Sequence, residues 1–434
     1  MLSSKRKIFY AACAAAVAAV GVAVCLALCV QRSCGGGKER SPFPLPPLPQ
    51  LTNEMFASPE FEKGDSLVRK FLKRWKINGA SLAIARDGRL LYAKGFGYAD
   101  VEQKTEVTPS HVFRIASGSK LITAAAVMKL VEEGKLNLSD RVFGSDGILN
   151  DSVFSKIYDA RVLQITVKNL LEHSAGWDVS NSKDPMFMGR AIAEKLHIPV
   201  PVGVDDIIRF ALSKPLSFDV GDHSSYSNLG YAILGRVIEK AAGVACESYV
   251  QQALLLPMGI INMRLGNSYP QRLYADEVSY YDVPKARPVA AFDNLYSLVP
   301  KCRGGYDIRT LGAAGGWVAS PAALLRFMLC VDGRPETPDI LSLESVDRMV
   351  CNDSIYNPLG WRMVDERRWI RTGTLAGTSV AAVRDTSGWC WAFITNTSSK
   401  RGASFPFIVE AMMSEVLGTM ESALAGNANS ALEH

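Results

Sequence analysis

The chain has 434 residues, 48% of them hydrophobic and 21% charged, with a formal net charge of +5. This composition excludes a disordered chain and suffices for one large two-part domain with a buried core. Residues 1–40 hold six Lys/Arg against one acid, leaving 42 residues of each sign in the rest; a neutral body without a basic stripe gives little counterion-release energy, which excludes nucleic acid as a partner.

Lys5, Arg6 and Lys7 close a short basic tail, residues 1–7. Ile8 to Val30 is an uncharged run of 23 residues, which as a helix would rise roughly 35 Å at about 1.5 Å per residue and cross a bilayer. It exceeds the roughly 7–15-residue apolar region of a cleaved secretory signal, so a retained transmembrane anchor is favoured, with secretion after cleavage as the alternative. An Arg-rich, acid-poor start also leaves a mitochondrial destination open. The basic tail places the short end in the cytosol and the body across the membrane, although Arg32, Lys38 and Arg40 pull the other way. Gly35 to Gly37, then Pro42, Pro44, Pro46, Pro47 and Pro49, mark residues 31–52 as a linker, flexible and then stiff in polyproline II form, holding the body off the membrane.

The body spans 53–426, followed by a small, polar, frayed tail at 427–434. An amphipathic helix is predicted over 59–76. A strand pair follows, Ala80 to Ala85 and Leu90 to Gly95, joined through Asp87-Gly88, a strong hairpin signal. Helical periods cover Thr123 to Glu133, ended by Gly134, and Asn228 to Ala241, ended near Gly243. Short strand-like runs return between Gly360 and Thr395, including Ser379 to Val383 and Trp389 to Ile394. Strands from both ends with helices between them predict an α+β fold: one antiparallel sheet flanked by helices, with an inserted, mostly helical subdomain at about 120–290 and a cleft where the parts meet. Loop-rich stretches 178–225 and 270–305 are expected to shape that cleft. Trp317, Trp361, Trp369, Trp389 and Trp391 are expected to pack the sheet and cleft wall.

Five body cysteines, Cys246, Cys302, Cys330, Cys351 and Cys390, are widely spaced and imply no disulfide framework. Without CxxC or HExxH, and with five histidines, no metal site and no cofactor is expected. Asn137, Asn150, Asn352 and Asn396 lie in N-x-Ser/Thr sequons, relevant only to a lumenal or extracellular body.

The stretch Phe113-Arg114-Ile115-Ala116-Ser117-Gly118-Ser119-Lys120 sets Ser117 three residues before Lys120 at the start of an apolar helix. That spacing puts hydroxyl and amine on one face, where free N–H groups and the positive helix end suit a developing oxyanion. Serine needs a proton acceptor, which a lysine becomes if burial lowers its pKa. Alone the pattern is weak, because Ser4/Lys7 and Ser180/Lys183 repeat it. Tyr226-Ser227-Asn228 precedes a second helix, and a tyrosine beside a lysine cation can be held as phenolate; singly it reads as a buried tyrosine with a helix cap. Arg371-Thr372-Gly373-Thr374 lies in a strand-like stretch and singly reads as a strand edge before a turn. His173 and His223 lack a Gly-x-Ser-x-Gly elbow, and His173 reads as structural.

Ser-x-x-Lys, then Tyr-x-Asn, then a basic-Thr-Gly strand, in that order, resembles the serine β-lactamase and penicillin-binding protein superfamily, in its class C and esterase-like branch. The likeness extends through Ala80 to Ala83, Gly95 to Asp100, Val131 to Leu136, Leu170 to Trp177, Gly315 to Ser320 and Gly373 to Thr378. The resemblance implies a β-lactamase/transpeptidase-like fold and an acyl-enzyme on Ser117. It assigns shared acid/base work to Lys120 and Tyr226, and positioning of Lys120 or substrate to Asn228. It forms an oxyanion hole from the backbone N–H groups of Ser117 and Thr374, and a substrate-binding strand from Arg371, Thr372 and Gly373. Relatives carry Lys or His at the position of Arg371. Arginine cannot relay a proton but binds carboxylate well, which turns the expectation from penicillin chemistry toward acyl transfer on an ester, amide or small peptide with an acidic end. The rival reading is a lapsed scaffold that keeps the cleft for binding. The oligomeric state stays open.

Overall fold

The computed structural model describes residues 44–430, apart from 181–182, 295 and 352–356. The basic tail and the expected span at 8–30 lie outside the described residues; within them no helix is long and apolar enough to cross a membrane.

Helix α1 (Glu62–Trp75) turns Val68, Phe71 and Leu72 to one side, three and four residues apart, and stops at Lys76 in the left-handed region. The next strands, β1 (Gly79–Arg86) and β2 (Arg89–Asp100), are joined by Asp87 and Gly88, at φ 48° and 74°. Two successive positive φ values make the tight turn that matches strand twist. After β3 (Thr105–Glu106) and β4 (Phe113–Arg114) the chain leaves the sheet for a long insertion. It carries α2 (Ser119–Glu132), α3 (Val167–Leu171), α4 (Gly189–Leu196), α5 (Val204–Leu212), α6 (Asn228–Ala242) and α7 (Cys246–Val250). Then come β5 (Arg264–Leu265), β6 (Val289–Ala290), β7 (Leu298–Val299), α8 (Ile308–Gly315), β8 (Trp317–Ala319), α9 (Pro321–Leu329) and α10 (Leu343–Val350). Strands β9 (Met363–Val364), β10 (Arg368–Leu375), β11 (Thr378–Asp385) and β12 (Trp389–Thr395) return to the sheet, and α11 (Phe405–Ser430) closes the chain.

The main sheet has the order β3-β2-β1-β12-β11-β10-β9, with β1 antiparallel to β12 from Ala80↔Thr395 to Arg86↔Trp389. The expected sheet from both ends is thus present. Both faces are buried, so the central strands read as nearly unbroken apolar runs. Along β12, Trp389, Trp391 and Phe393 face a core shared with α1 and α11, whereas Cys390, Ala392 and Ile394 face the core of the inserted helices. Two of the three insertion-side residues are small, which lets helices approach closely; the opposite side is filled by large rings.

Three boundaries differ from the sequence reading. The insertion does not end at about 290: α8, α9 and α10 extend it to Val350. Helix α11 continues through Ser430, four residues into the tail expected to fray. The third concerns the linker. Leu45 N donates to Pro257 O (2.8 Å), Leu48 N to Gly259 O (3.1 Å) and Leu51 N to Ser110 Oγ (2.8 Å), while Arg326 donates to Pro46 O (2.6 Å). Residues 45–51 therefore strap onto the body rather than space it away. The reason is periodic: polyproline II has three residues per turn, so Leu45, Leu48 and Leu51 share one face, and all three pack against the insertion's core.

Candidate active site

Ser117 occupies a single 3-10 turn, Ala116–Gly118, between β4 and α2. Ala116 holds a positive φ of 48°, a costly conformation for a residue with a Cβ. Strand β10 lies hard against this turn. A Cβ on Gly373 would meet Ile115 O at 2.4 Å and the backbone nitrogens of Ser117 and Gly118 at 3.1 Å. Only glycine lets Thr372 and Thr374 flank the serine this closely.

Lys120, the second residue of α2, is fully buried. Its Nζ donates to Asn228 Oδ1 (2.7 Å) and to Ala314 O (2.6 Å), and lies 4.9 Å from the centre of the Tyr226 ring. Ala314 offers its carbonyl because α8 is kinked at Gly312 (φ 36°, ψ −116°) and ends just beyond it, leaving carbonyls without helical partners. Thr123 takes the neighbouring one, Ala313 O, at 2.7 Å. Burial lowers the Lys120 pKa and Arg371 pushes it further down, against the opposing pull of Tyr226.

Tyr226 and Asn228 bracket Ser227, whose hydroxyl accepts from Gly230 N (3.1 Å) and caps α6. Tyr226 Oη donates to Ser117 Oγ at 2.7 Å. The serine's hydrogen-bond partner is thus the tyrosine, with the lysine behind it. Burial alone would push the phenol up, but Lys120 and Arg371 reverse this and bring it to about 8. His173 packs against the Tyr226 ring (centroids 4.7 Å) and accepts from Ser227 N through Nδ1 (3.1 Å). Burial, then Lys120 and Arg371, hold its pKa well below the usual value, so it stays neutral. It supports the Tyr226 loop, in keeping with its structural reading. His223 is on the surface beside Asp222.

Arg371 borders the cleft from within its wall. Its side chain is 2% exposed and donates to Gly360 O at 2.9 Å, so it sits in the wall as a fixed charge beside Tyr226. The exposed cation at the cleft is Arg362, next to β9, whose guanidinium lies 5.9 Å from the centre of the Tyr226 ring.

These groups surround a cavity of about 310 Å³. Ser117, Tyr226, Asn228 and Arg371 to Thr374 line it, with Arg362, Leu311, Phe187 and Phe407. Of the stretches 178–225 and 270–305, Phe187 alone among the described residues reaches this lining; α11 supplies Phe407, which the sequence reading did not place here. Asp184 was also missed. Its Oδ2 accepts from Asn228 Nδ2 at 2.6 Å, yet Asp184-Pro185 reads in sequence only as a helix start. The buried tryptophans behave as expected: Trp317, Trp361, Trp389 and Trp391 are all nearly inaccessible, and Trp361 meets Trp369 edge-on. All five body cysteines are free. Asn137 and Asn150 are exposed, but Asn396 is buried and donates to Tyr98 O, which removes it as a glycosylation acceptor in the folded state.

A fold with one sheet from both chain ends, a helical insertion and a Ser-Lys-Tyr-Asn cluster at their junction defines a class, and the comparisons agree. Residues 65–407 match the family model described as Beta-lactamase, and the chain belongs to that family. Protein flp of Staphylococcus aureus (strain N315) is 29% identical over 194 residues, 45% of this chain and 36% of its own length. Penicillin-binding protein 4* of Bacillus subtilis (strain 168) is 29% identical over 211 residues, 48% of this chain and 42% of its own length. The matches thus span less than half of either relative. Among solved structures, D-amino acid amidase from Ochrobactrum anthropi SV3, complexed with L-phenylalanine amide, aligns over 84% of this chain and 99% of its own at TM-score 0.65 and 20% identity. The octameric penicillin-binding protein homologue from Pyrococcus abyssi aligns over 82% and 76% at TM-score 0.62 and 24% identity. At such identities the likeness is one of fold.

Proposed function

We propose that the protein is a membrane-tethered serine hydrolase that forms an acyl-enzyme on Ser117 from an ester, amide or small peptide. The observation that carries this is the 2.7 Å bond between Tyr226 Oη and Ser117 Oγ, with a phenol brought to about 8 by buried cations. In the reactive form Tyr226 is a phenolate held by Lys120 and Arg371. It takes the Ser117 proton as Oγ attacks the carbonyl carbon. The backbone N–H groups of Ser117 and Thr374 receive the resulting oxyanion. When the tetrahedral species collapses, the departing alkoxide or amine takes the proton from Tyr226, leaving the acyl group on Ser117. Water, deprotonated by the same tyrosine, then releases the acid. Lys120 supplies positive charge behind the phenolate and is not the group that meets the serine.

The substrate carries an anionic group. Arg362 is the exposed cation of the lining, with Arg371 behind it in the wall, and no carboxylate lines the cavity among the described residues. Residues 8–30 anchor the chain with the body outside the cytosol.

The test is labelling of intact protein with a fluorophosphonate or a tagged penicillin, with mass spectrometry to locate the adduct, followed by turnover of anionic and neutral p-nitrophenyl esters. The adduct belongs on Ser117 and disappears in Ser117→Ala. A chain that never acylates there, or an alanine variant that turns over equally well, leaves the cleft as a binding scaffold and ends this reading. Protease protection of a tagged C-terminus in sealed membranes checks the topology; cleavage from the cytosolic side would reverse it.

A further inference from the structure

The carboxylate of Asp184 makes two bonds with different chemical demands. Oδ1 accepts from Met186 N at 2.9 Å and caps the short turn Pro185–Phe187. Oδ2 accepts from Asn228 Nδ2 at 2.6 Å. An amide nitrogen only donates and an amide oxygen only accepts. With its nitrogen turned to a carboxylate, Asn228 must present Oδ1 to Lys120 Nζ, as it does at 2.7 Å. A flipped amide would set two donors, NH₂ and ammonium, against each other. The far end of the same turn is Phe187, which lines the cleft and packs edge-on against Tyr306 (centroids 5.7 Å).

We propose that Asp184 is a positioning residue for acyl transfer: it locks the Asn228 amide so that Lys120 stays beneath Tyr226, and the turn it caps ties that lock to the cleft wall at Phe187. This rests on the hydrolase reading given above. A cap alone does not explain the carboxylate, because asparagine caps such turns as well as aspartate does. The second oxygen is what the Asn228 amide requires.

That distinction supplies the experiment. Asp184→Asn is nearly isosteric and keeps an oxygen for Met186 N, but it turns an NH₂ toward the Asn228 NH₂ and breaks the lock. For hydrolysis of an activated ester by the full chain, kcat is expected to fall about 10- to 100-fold, the range of one charge-assisted hydrogen bond, with KM changing by less than about threefold. The loss should vanish in an Asn228→Ala background, where there is no amide left to orient. Urea melts of the four proteins of this cycle control for misfolding. Wild-type kcat in Asp184→Asn, or an equal loss with and without Asn228, overturns the lock while leaving the hydrolase intact. Failure of the wild-type chain to acylate at Ser117 overturns both.

Discussion

Two buried clusters in this molecule each join a tyrosine, a lysine and an aspartate, yet they drive the phenol in opposite directions. On the α1 side of the sheet, Tyr92 Oη donates to Asp65 Oδ1, while Lys94 and Arg69 bond Asp65 Oδ2. Burial, reinforced by the bond to Asp65, raises the Tyr92 pKa far above its usual value. On the insertion side Tyr226 falls to about 8. Burial opposes ionisation in both. The difference is where the carboxylate stands. Asp65 touches the phenol and the lysine directly and spends the cationic field on itself. Asp184 is separated from Lys120 by the Asn228 amide and acts on the lysine only as a more distant charge, leaving the Lys120 charge, with Arg371, to act on Tyr226. One neutral amide between acid and base separates a structural pin from a candidate reaction centre.

The comparison breaks most visibly at the tyrosines. Removing the proton acceptor in Tyr226→Phe should lower the acylation rate of Ser117 by roughly 10²- to 10⁴-fold, read as pseudo-first-order labelling by a fluorophosphonate. Tyr92→Phe should leave that rate unchanged and cost about 1–2 kcal/mol of stability, since Asp65 keeps its two cations but loses a donor; urea unfolding measures this. Equal effects of the two substitutions on labelling would remove the distinction.

Asn228→Asp makes the clusters alike by placing a carboxylate on Lys120. In the wild type, the phenolate fraction grows with pH, so acylation should rise about tenfold per pH unit below 8 and level off above it. In the variant the lysine field is cancelled and Tyr226 returns toward the ordinary phenol range. The ascending limb should then move to higher pH by one unit or more, with a loss of about 10- to 100-fold at pH 7. A pH profile of kcat/KM on an activated ester decides it. An unmoved limb would show that Lys120 does not control the phenol.

Much of this was legible in the sequence, and the physical reasons for what was not are specific. The sheet declared itself through Asp87-Gly88 and the apolar runs of β11 and β12, because hairpin turns and buried strands are written locally. Ser117, Lys120, Tyr226, Asn228 and Gly373 were found through motif order, and the structure brings them together. The linker's prolines signal a spacer, whereas the three-residue spacing of Leu45, Leu48 and Leu51 is what docks it on the body. Asp184 and Arg362 left no usable signal. Each matters through a partner far along the chain, Asn228 for one and Tyr226 for the other, and no local pattern encodes such a meeting. Arg371 was located on the cleft strand, but chemistry alone does not say how deeply its guanidinium is held in the wall.

The smallest expected effect tests that last point. Arg371 differs from the Lys or His of the resembling superfamily, and two properties could matter: its charge and its fork. The geometry favours charge. The fork is poorly used, with one bond to Gly360 O and an Nε that has no partner, whereas the charge acts on Tyr226, Lys120 and His173 together. Arg371→Lys keeps the charge and should change kcat/KM by less than about threefold, with stability within about 1 kcal/mol of wild type. Arg371→Gln removes the charge, so the Tyr226 phenol should rise and the ascending limb shift upward, by less than in Asn228→Asp because Lys120 remains. If the lysine variant is as impaired as the glutamine variant, the planar fork holds the substrate, as first read from the sequence.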